Sequence, residues 1–277
     1  MKKILMMSVR EDEKEAIENW SERHPDVEVG IDEGELHADT VAKLKGFDGV
    51  VIQQRSLVED EVYAELKNLG LKQISTRTAG YDVINVNLAH KNGLKVTNVP
   101  AYSPRSVAEL ALAHTMRLIR NLEWIGLKGK EIHTLTIGII GAGRIGGTAA
   151  KLFNALGAKV IAYDIKPNPE LNEVLTYKSL NEVLQESDVI SLHVDLNETT
   201  KGLIGSEELA LMKPTAFLIN ECRGPVVDTD ALIAALKNKK LAGAALDTLT
   251  GEENFFNFDL RGKELPSEQL KELRAMN

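Results

Sequence analysis

Short apolar, β-branched runs alternate with amphipathic stretches along almost the whole chain, and many of the amphipathic stretches end near a glycine. A pattern that switches repeatedly between strand and helix periods predicts an α/β fold. In the first part, strands are predicted at Lys3–Val9, Val27–Ile31, Gly49–Gln53, Lys72–Thr76 and Lys95–Val99, with helical patterns between them. The stretch EDEVYAELKNLG sets Val62, Leu66 and Leu69 on one face, carries acids in its first turn and stops at Gly70. Acids at the start and glycine at the end suit the helix dipole and its termination. Further on, SPRSVAELALAHTMRLIRNL opens with Ser103 as cap and Pro104 as first helical residue, then runs for several turns without a breaker.

After that helix the alternation restarts. Strands are predicted at Thr136–Gly141, Val160–Asp164, Val189–Val194, Thr215–Asn220 and Ala242–Thr248, with helices around Ile145–Leu156, Ser179–Gln185, Ser206–Met212 and Asp230–Leu236. Strands this uniformly apolar are expected where helices cover both faces of a parallel sheet. Right-handed crossovers then give a doubly wound parallel sheet in each half. The expected organisation is one domain over residues 1–100 and a second over 101–277, with the boundary near Pro100 and the long helix in the second.

A chain of 277 residues is long enough for two cores. Its 33 basic and 41 acidic side chains give a formal net charge of −8, which argues against sequence-independent binding to nucleic acid. Any anion must therefore be bound locally. Cys222 is the only cysteine, so there is no intrachain disulfide and no cysteine cluster for zinc, and no metal site is expected. A reducing cytoplasm is the expected compartment. The opening MKKILMMSVR reads as a first strand, because Arg10, Glu11 and Asp12 cut its apolar run well short of a signal-peptide core. No window approaches the length needed to cross a bilayer, so no membrane partner is expected.

The window TIGIIGAGRIGGTAAKLFNALGAKVIAYD carries the most chemistry. Gly141, Gly143 and Gly146 follow an apolar strand and open an apolar-periodic helix, and Asp164 closes the next strand roughly twenty residues on, which is the context a dinucleotide site needs. Gly141 allows the tight turn, Gly143 lets backbone approach a pyrophosphate, and Gly146 lets helix and strand pack closely. The free N–H groups and dipole at the helix start hold two phosphates despite the acidic chain. Asp164 would accept hydrogen bonds from the adenosine ribose hydroxyls and repel a 2′-phosphate, so the expected cofactor is NAD rather than NADP.

Two polar clusters, Asn220–Gly224 and the turn after LAGAALD, follow predicted strands of the same sheet, where ligands of open α/β sheets bind. This address turns Arg223 toward the nicotinamide. With it the chain resembles the D-isomer-specific 2-hydroxyacid dehydrogenases, and most of all their D-lactate dehydrogenase branch. The residues that carry the resemblance are RTAGYD, TNVPAYSPRSVAELAL, IGIIGAGRIG, GAKVIAYD, SDVISLHV, LMKPTAFLIN, CRGPVVDTDAL and LAGAALDTLTGEE, in family order from Arg77 to Glu253.

The resemblance implies a flavodoxin-like substrate domain hinged to a Rossmann NAD-binding domain, in a homodimer. It implies a hydride moving between NAD and C2 of a small 2-oxo or 2-hydroxy acid. In that reading Arg223 binds the substrate carboxylate and polarises the C2 oxygen, which suits its planar fork of donors. Glu252 partners the catalytic histidine and keeps it protonated. Ala79 and Gly80 offer backbone to the substrate carboxylate, and Tyr102 closes the substrate pocket. Around the cofactor the same likeness places Arg144 and Ile145 at the pyrophosphate turn, with Val194, Thr200 and Cys222 as further contacts and Asp247 near the nicotinamide carboxamide. Cys222 has no base beside it and reads as a small apolar contact rather than a nucleophile.

The chain also departs from the family pattern. The family's general acid/base, a histidine in a proline–histidine motif, is expected a little after Asn277, and the stretch between Asn121 and Lys130 is shorter than the family's arm, so both places read as segments absent from this sequence. Asp195 stands where proline usually follows HV. None of the six histidines is placed to substitute: His193 lies toward the far side of the cofactor, His114 is inside the long helix, and His24, His37, His90 and His133 fall in helical or loop text. The alternative is a dinucleotide-sensing, non-catalytic interaction protein on the same fold, since fold alone does not separate the two.

Overall fold

The computed structural model describes residues 1–101, 103–122, 129–252, 262 and 264–276. The chain divides into two units, Met1–Tyr102 and Ser103–Asn277.

The first unit is built on a parallel sheet of β1 (Lys2–Met6), β2 (Val27–Ile31), β3 (Gly49–Ile52), β4 (Gln73–Thr76) and β5 (Lys95–Thr97), in the order β2-β1-β3-β4-β5. That is the flavodoxin-like order. Its helices are α1 (Lys14–Arg23), α2 (Asp60–Asn68) and α3 (Val86–Lys91). The apolar face of α2 delivers Val62 and Leu66 into the core, and Tyr63 joins them, against Val50, Ile52 and Ile74 of the sheet. The Tyr63 hydroxyl is not left unpaired there: it accepts the Asn85 N–H at 2.7 Å.

The second unit opens with α4 (Pro104–Arg120) and holds β6 (Thr136–Ile140), α5 (Arg144–Ala155), β7 (Lys159–Tyr163), β8 (Thr176–Tyr177), α6 (Leu180–Glu186), β9 (Val189–Leu192), α7 (Ser206–Leu211), β10 (Phe217–Asn220), α8 (Thr229–Lys237), β11 (Gly243–Leu246) and α9 (Glu268–Ala275). The sheet order β11-β10-β9-β6-β7-β8 starts from β6 and winds outward both ways, as in dinucleotide-binding folds. Side chains alternate across it. Ile137 and Ile139 face α4 and α5 with Ala108, Ala111 and Phe153. Ile140 and Leu218 face the other way, among Val183, Leu184 and Leu232 of α6 and α8. A sheet buried on both faces explains the unbroken apolar strands.

Several strands end earlier than their apolar text. Met7 and Val9 lie past β1 yet are 0% and 3% exposed, so burial continues after the ladder stops. Ala216, 0% exposed, is likewise buried just before β10 begins, and Val194 past β9 is half-buried. At the carboxyl ends the backbone leaves the sheet, and in both units those exits carry the polar residues.

Candidate active site

In the second unit the pyrophosphate turn leaves β6 at Gly141, whose φ of +89° favours glycine. A Cβ at Gly141 would lie 2.6 Å from the His193 carbonyl oxygen, and one at Gly146 only 1.9 Å from the Gly141 carbonyl oxygen. Those two glycines therefore serve close packing of turn, helix and neighbouring strand. Gly143 differs: a Cβ there would meet no atom within 4 Å. Its outer side is open space at the start of α5, next to a cavity of about 460 Å³ lined by Ala142, Gly143, Arg144, Thr148, Asp164 and Lys166 among others. Arg144 and Ile145 begin the helix at this point. A dipole end, an unfilled cradle and an acid across the cavity fit a dinucleotide.

Asp164 is fixed by main chain. Its Oδ2 accepts the Ala142 N–H at 2.7 Å and its Oδ1 accepts the Lys166 N–H at 2.7 Å, which ties the end of β7 to the glycine turn. Each carboxylate oxygen keeps a further lone pair for a ribose hydroxyl.

Past β9, Val194 packs against the same turn, since a Cβ on Gly141 would come within 2.8 Å of its Cγ1. Thr200 lies further along this exit. Its hydroxyl donates to the Asp195 carbonyl at 2.6 Å and accepts the Asn197 N–H at 2.8 Å, closing a turn. The nearby His193 bonds Ser191 Oγ through Nε2 at 2.9 Å, and burial pushes its pKa down to about 4.

Past β10, the Asn220 side chain organises the loop. Its Oδ1 accepts the Cys222 N–H at 3.1 Å, and its Nδ2 donates to the Arg223 carbonyl at 3.1 Å. Cys222 is buried, and burial pushes its thiol up to about 11, which leaves it inert at neutral pH. The Arg223 guanidinium donates through Nη1 to the Cys222 carbonyl at 2.8 Å. A Cβ on Gly224 would lie 2.1 Å from the Leu249 carbonyl carbon, so this loop presses against the turn that carries Glu252. Glu252 is anchored by accepting the Leu249 N–H at 2.8 Å through Oε2. Asp247, at the exit of β11, donates its N–H to the Asn220 carbonyl at 3.0 Å. The structure thus gathers Cys222, Arg223, Asp247 and Glu252 on neighbouring exits of one sheet.

In the first unit Ala79 and Gly80 follow β4. Both carbonyls are taken up: Ala79 accepts from Asn98 Nδ2 at 2.7 Å and Gly80 from Thr78 Oγ1 at 2.6 Å. Among the described residues no acceptor takes either N–H. Arg77 braces the same edge, donating to the Met7 and Ser8 carbonyls at 3.0 Å and pairing with Glu13 at 3.1 Å. Burial alone would raise the Glu13 carboxyl, but Arg77 and the Arg10 N–H outweigh it and hold it below the usual range. The braces Arg77, Thr78 and Asn98 were not singled out from sequence, because their partners are carbonyls and no side-chain pattern marks those. Tyr102 lies outside the described residues.

Residues 109–276 match the NAD-binding domain of the D-isomer specific 2-hydroxyacid dehydrogenases, and residues 4–188 match their catalytic domain. The chain is 43% identical over 289 residues to a D-2-hydroxyacid dehydrogenase (NAD(+)) of Clostridioides difficile, covering 99% of this chain and 87% of that one. It is 58% identical to the solved D-lactate dehydrogenase of a Sporolactobacillus species, with a TM-score of 0.78 and coverage of 99% and 86%. With the D-lactate dehydrogenase of Aquifex aeolicus, solved with NAD and lactic acid, it shares 31% identity and a TM-score of 0.87, at 99% and 84% coverage. Each of the two domain matches spans more than half of the sequence, so the chain belongs to the D-isomer specific 2-hydroxyacid dehydrogenases and its cofactor is NAD.

Proposed function

We propose that this dehydrogenase reduces pyruvate to D-lactate and, in reverse, oxidises D-lactate. The reading is carried by one observation, the pressing of Gly224 against Leu249, which brings the loop that carries Arg223 against the turn that carries Glu252. Bound NADH supplies the hydride that adds to C2 of a 2-oxo acid. Gly143, Arg144 and Ile145 are assigned to the pyrophosphate, with Gly141 and Gly146 shaping the turn that receives it, and Asp164 is assigned to the adenosine ribose. Val194, Thr200, Cys222 and Asp247 are assigned to the nicotinamide half.

Arg223 is assigned to the substrate carboxylate and C2 oxygen. A guanidinium offers two parallel donors to a carboxylate and keeps its charge at any working pH, which orients the acid and draws electron density from the carbonyl. The Ala79 and Gly80 N–H groups are assigned to the same carboxylate. The pinning of the preceding carbonyls favours this, because a carbonyl and the next N–H share one plane: Thr78 O accepts the Val99 N–H at 3.0 Å and so orients the Ala79 N–H, and Ala79 O accepts from Asn98 at 2.7 Å and so orients the Gly80 N–H. Glu252 is assigned the role of holding a proton on the acid–base group by placing a negative charge beside it. The lone buried Cys222 suits a reducing cytoplasm, and a homodimer belongs to the same reading.

The test is NADH oxidation by the product of the full coding region on a panel of 2-oxo acids, with chiral analysis of the product. Pyruvate turnover yielding D-lactate is expected. Turnover confined to branched or dicarboxylic 2-oxo acids would replace the substrate, and binding of NADH without turnover of any of them would favour a sensing role.

A further inference from the structure

One buried ionisable pair in the second unit is used by none of these roles. Glu221 lies between Asn220, the last residue of β10, and Cys222, and its side chain is 0% exposed. Its Oε1 stands 2.6 Å from Nδ1 of His114 on α4, a distance that a proton bridges. Its Oε2 is buried with no hydrogen-bond partner among the described residues. A carboxylate in this state is costly unless a proton or a counter-charge stays with it.

The surroundings define what that charge meets. From α4 comes His114, whose side chain is 22% exposed and so joins the buried acid to solvent. From the exit of β11 comes the like charge of Asp247. On β9, Leu192 pairs with Asn220, and the titratable group beyond it, His193, is kept neutral by burial. On its own loop Glu221 is followed by the inert thiol of Cys222 and then by Arg223. Burial raises the Glu221 carboxyl above its ordinary range, His114 opposes that, and Asp247 adds to it.

We propose that Glu221 is a positioning residue for the nicotinamide half of the cofactor: with His114 it forms a buried proton-sharing clasp between α4 and the loop carrying Cys222 and Arg223, and the charge held by this clasp sets the relative affinity for NAD⁺ and NADH. This rests on the assignment of Cys222 and Asp247 to the nicotinamide half. The two cofactor forms differ by one positive charge on that ring. While the clasp holds its proton, Glu221 and His114 are together neutral. When the proton leaves as pH rises, a net negative charge stays buried beside Asp247, and it favours the cation. Linkage makes the effect reciprocal, so binding of NAD⁺ drives the proton off and binding of NADH does not.

The test uses the product of the full coding region, with NADH affinity read from its fluorescence and NAD⁺ affinity from competition, between about pH 6 and 9. In the wild type the ratio Kd(NAD⁺)/Kd(NADH) is expected to fall on the order of tenfold across that range, the fold-change equivalent to a coupling of one pKa unit. Glu221→Gln keeps the shape and removes the buried negative charge, so its ratio should be higher than the wild type's at the alkaline end. His114→Gln keeps a donor and removes the second proton site, and should lower the pH at which the ratio falls or flatten it. Thermal unfolding of both variants reports whether they fold, and either folded variant suffices. If Glu221→Gln or His114→Gln weakens both cofactor forms equally and leaves the pH course of the ratio unchanged, the pair is only structural and the proposal is overturned. If the wild type binds neither form, the cofactor reading fails and takes the proposal with it. Wild-type binding with unaltered variants defeats the proposal alone.

Discussion

Two glycines of the same turn should respond in opposite ways to one added methyl group. In Gly146→Ala the new Cβ would sit 1.9 Å from the Gly141 carbonyl oxygen, where real contacts stay above 3.0 Å. The start of α5 and the exit of β6 must part by about 1 Å, and both are backbone, so no side chain can swing away. Overpacking of this kind costs about 1–3 kcal/mol, and rigid neighbours place it near the upper figure. In a unit of this size that lowers Tm by roughly 6–12 °C.

Gly143→Ala meets nothing within 4 Å, and Gly143 has φ −72° and ψ −151°, which alanine can adopt. Its stability should stay within about 1 kcal/mol of the parent, with a small gain from a stiffer unfolded chain. The methyl group instead fills the space assigned to the pyrophosphate, so NADH should bind at least about tenfold more weakly, equivalent to ~1.4 kcal/mol. Thermal unfolding and fluorescence titration of both variants separate the two effects. A Gly143→Ala protein that binds NADH like the wild type would refute the claim that this opening is kept for phosphate.

Three further outcomes concern single side chains. Arg223→Lys keeps the charge but loses the fork, so kcat/KM on pyruvate should fall by about 10²-fold or more while Tm stays unchanged, as read by steady-state kinetics and calorimetry. Arg77→Met strands Glu13 and the Met7 and Ser8 carbonyls, and should destabilise the first unit by about 3 kcal/mol in urea unfolding. His193 is held near 4 by burial, so the unfolded chain takes up a proton below its ordinary value of 6.5 that the folded chain refuses. Its contribution to stability is therefore complete above pH 6.5 and is lost as pH falls toward 4; the residue as a whole is only half-buried, so the loss should be about 1–2 kcal/mol, and His193→Asn should flatten the urea-unfolding profile over that window.

How far these features could be read from sequence depended on the kind of contact behind them. The glycine turn was legible because Gly141, Gly143, Gly146 and Asp164 are spaced by the strand-turn-helix-strand unit itself, and the Ala142 N–H bond to the Asp164 carboxylate joins the turn to the end of β7. Strand ends were less legible. The apolar pattern records burial, and Met7 and Val9 are buried in loops, so the text overran β1. The two-residue β8 was too short to show a period, and α9 has no buried residue among Glu268–Ala275 to reveal an apolar face. The His114–Glu221 contact joins residues 107 positions apart, and neither neighbourhood hints at the other. His114 looked like one more polar residue on a helix. Only the packing of α4 against β10 and β11 makes it the partner of a buried acid.

The acidic chain can hold a dinucleotide and an anionic substrate because its functional groups leave the sheet in one row. Ile140 pairs with Leu192, Leu192 with Asn220, and Asn220 with Leu246, so β6, β9, β10 and β11 end level. The next residues are Gly141, His193, Glu221 and Asp247. That row is set by core contacts such as Ile139 on one face and Ile140 on the other, not by the site residues themselves. A one-residue slip of β10 would turn its inward side chains outward and carry Arg223 to the wrong face, which the apolar cores on both sides forbid. The active-site geometry is therefore a consequence of sheet register. Side chains such as Asn220, which bonds forward to the main chain of both Cys222 and Arg223, then convert the fixed end of a strand into a fixed course of the loop that carries the guanidinium.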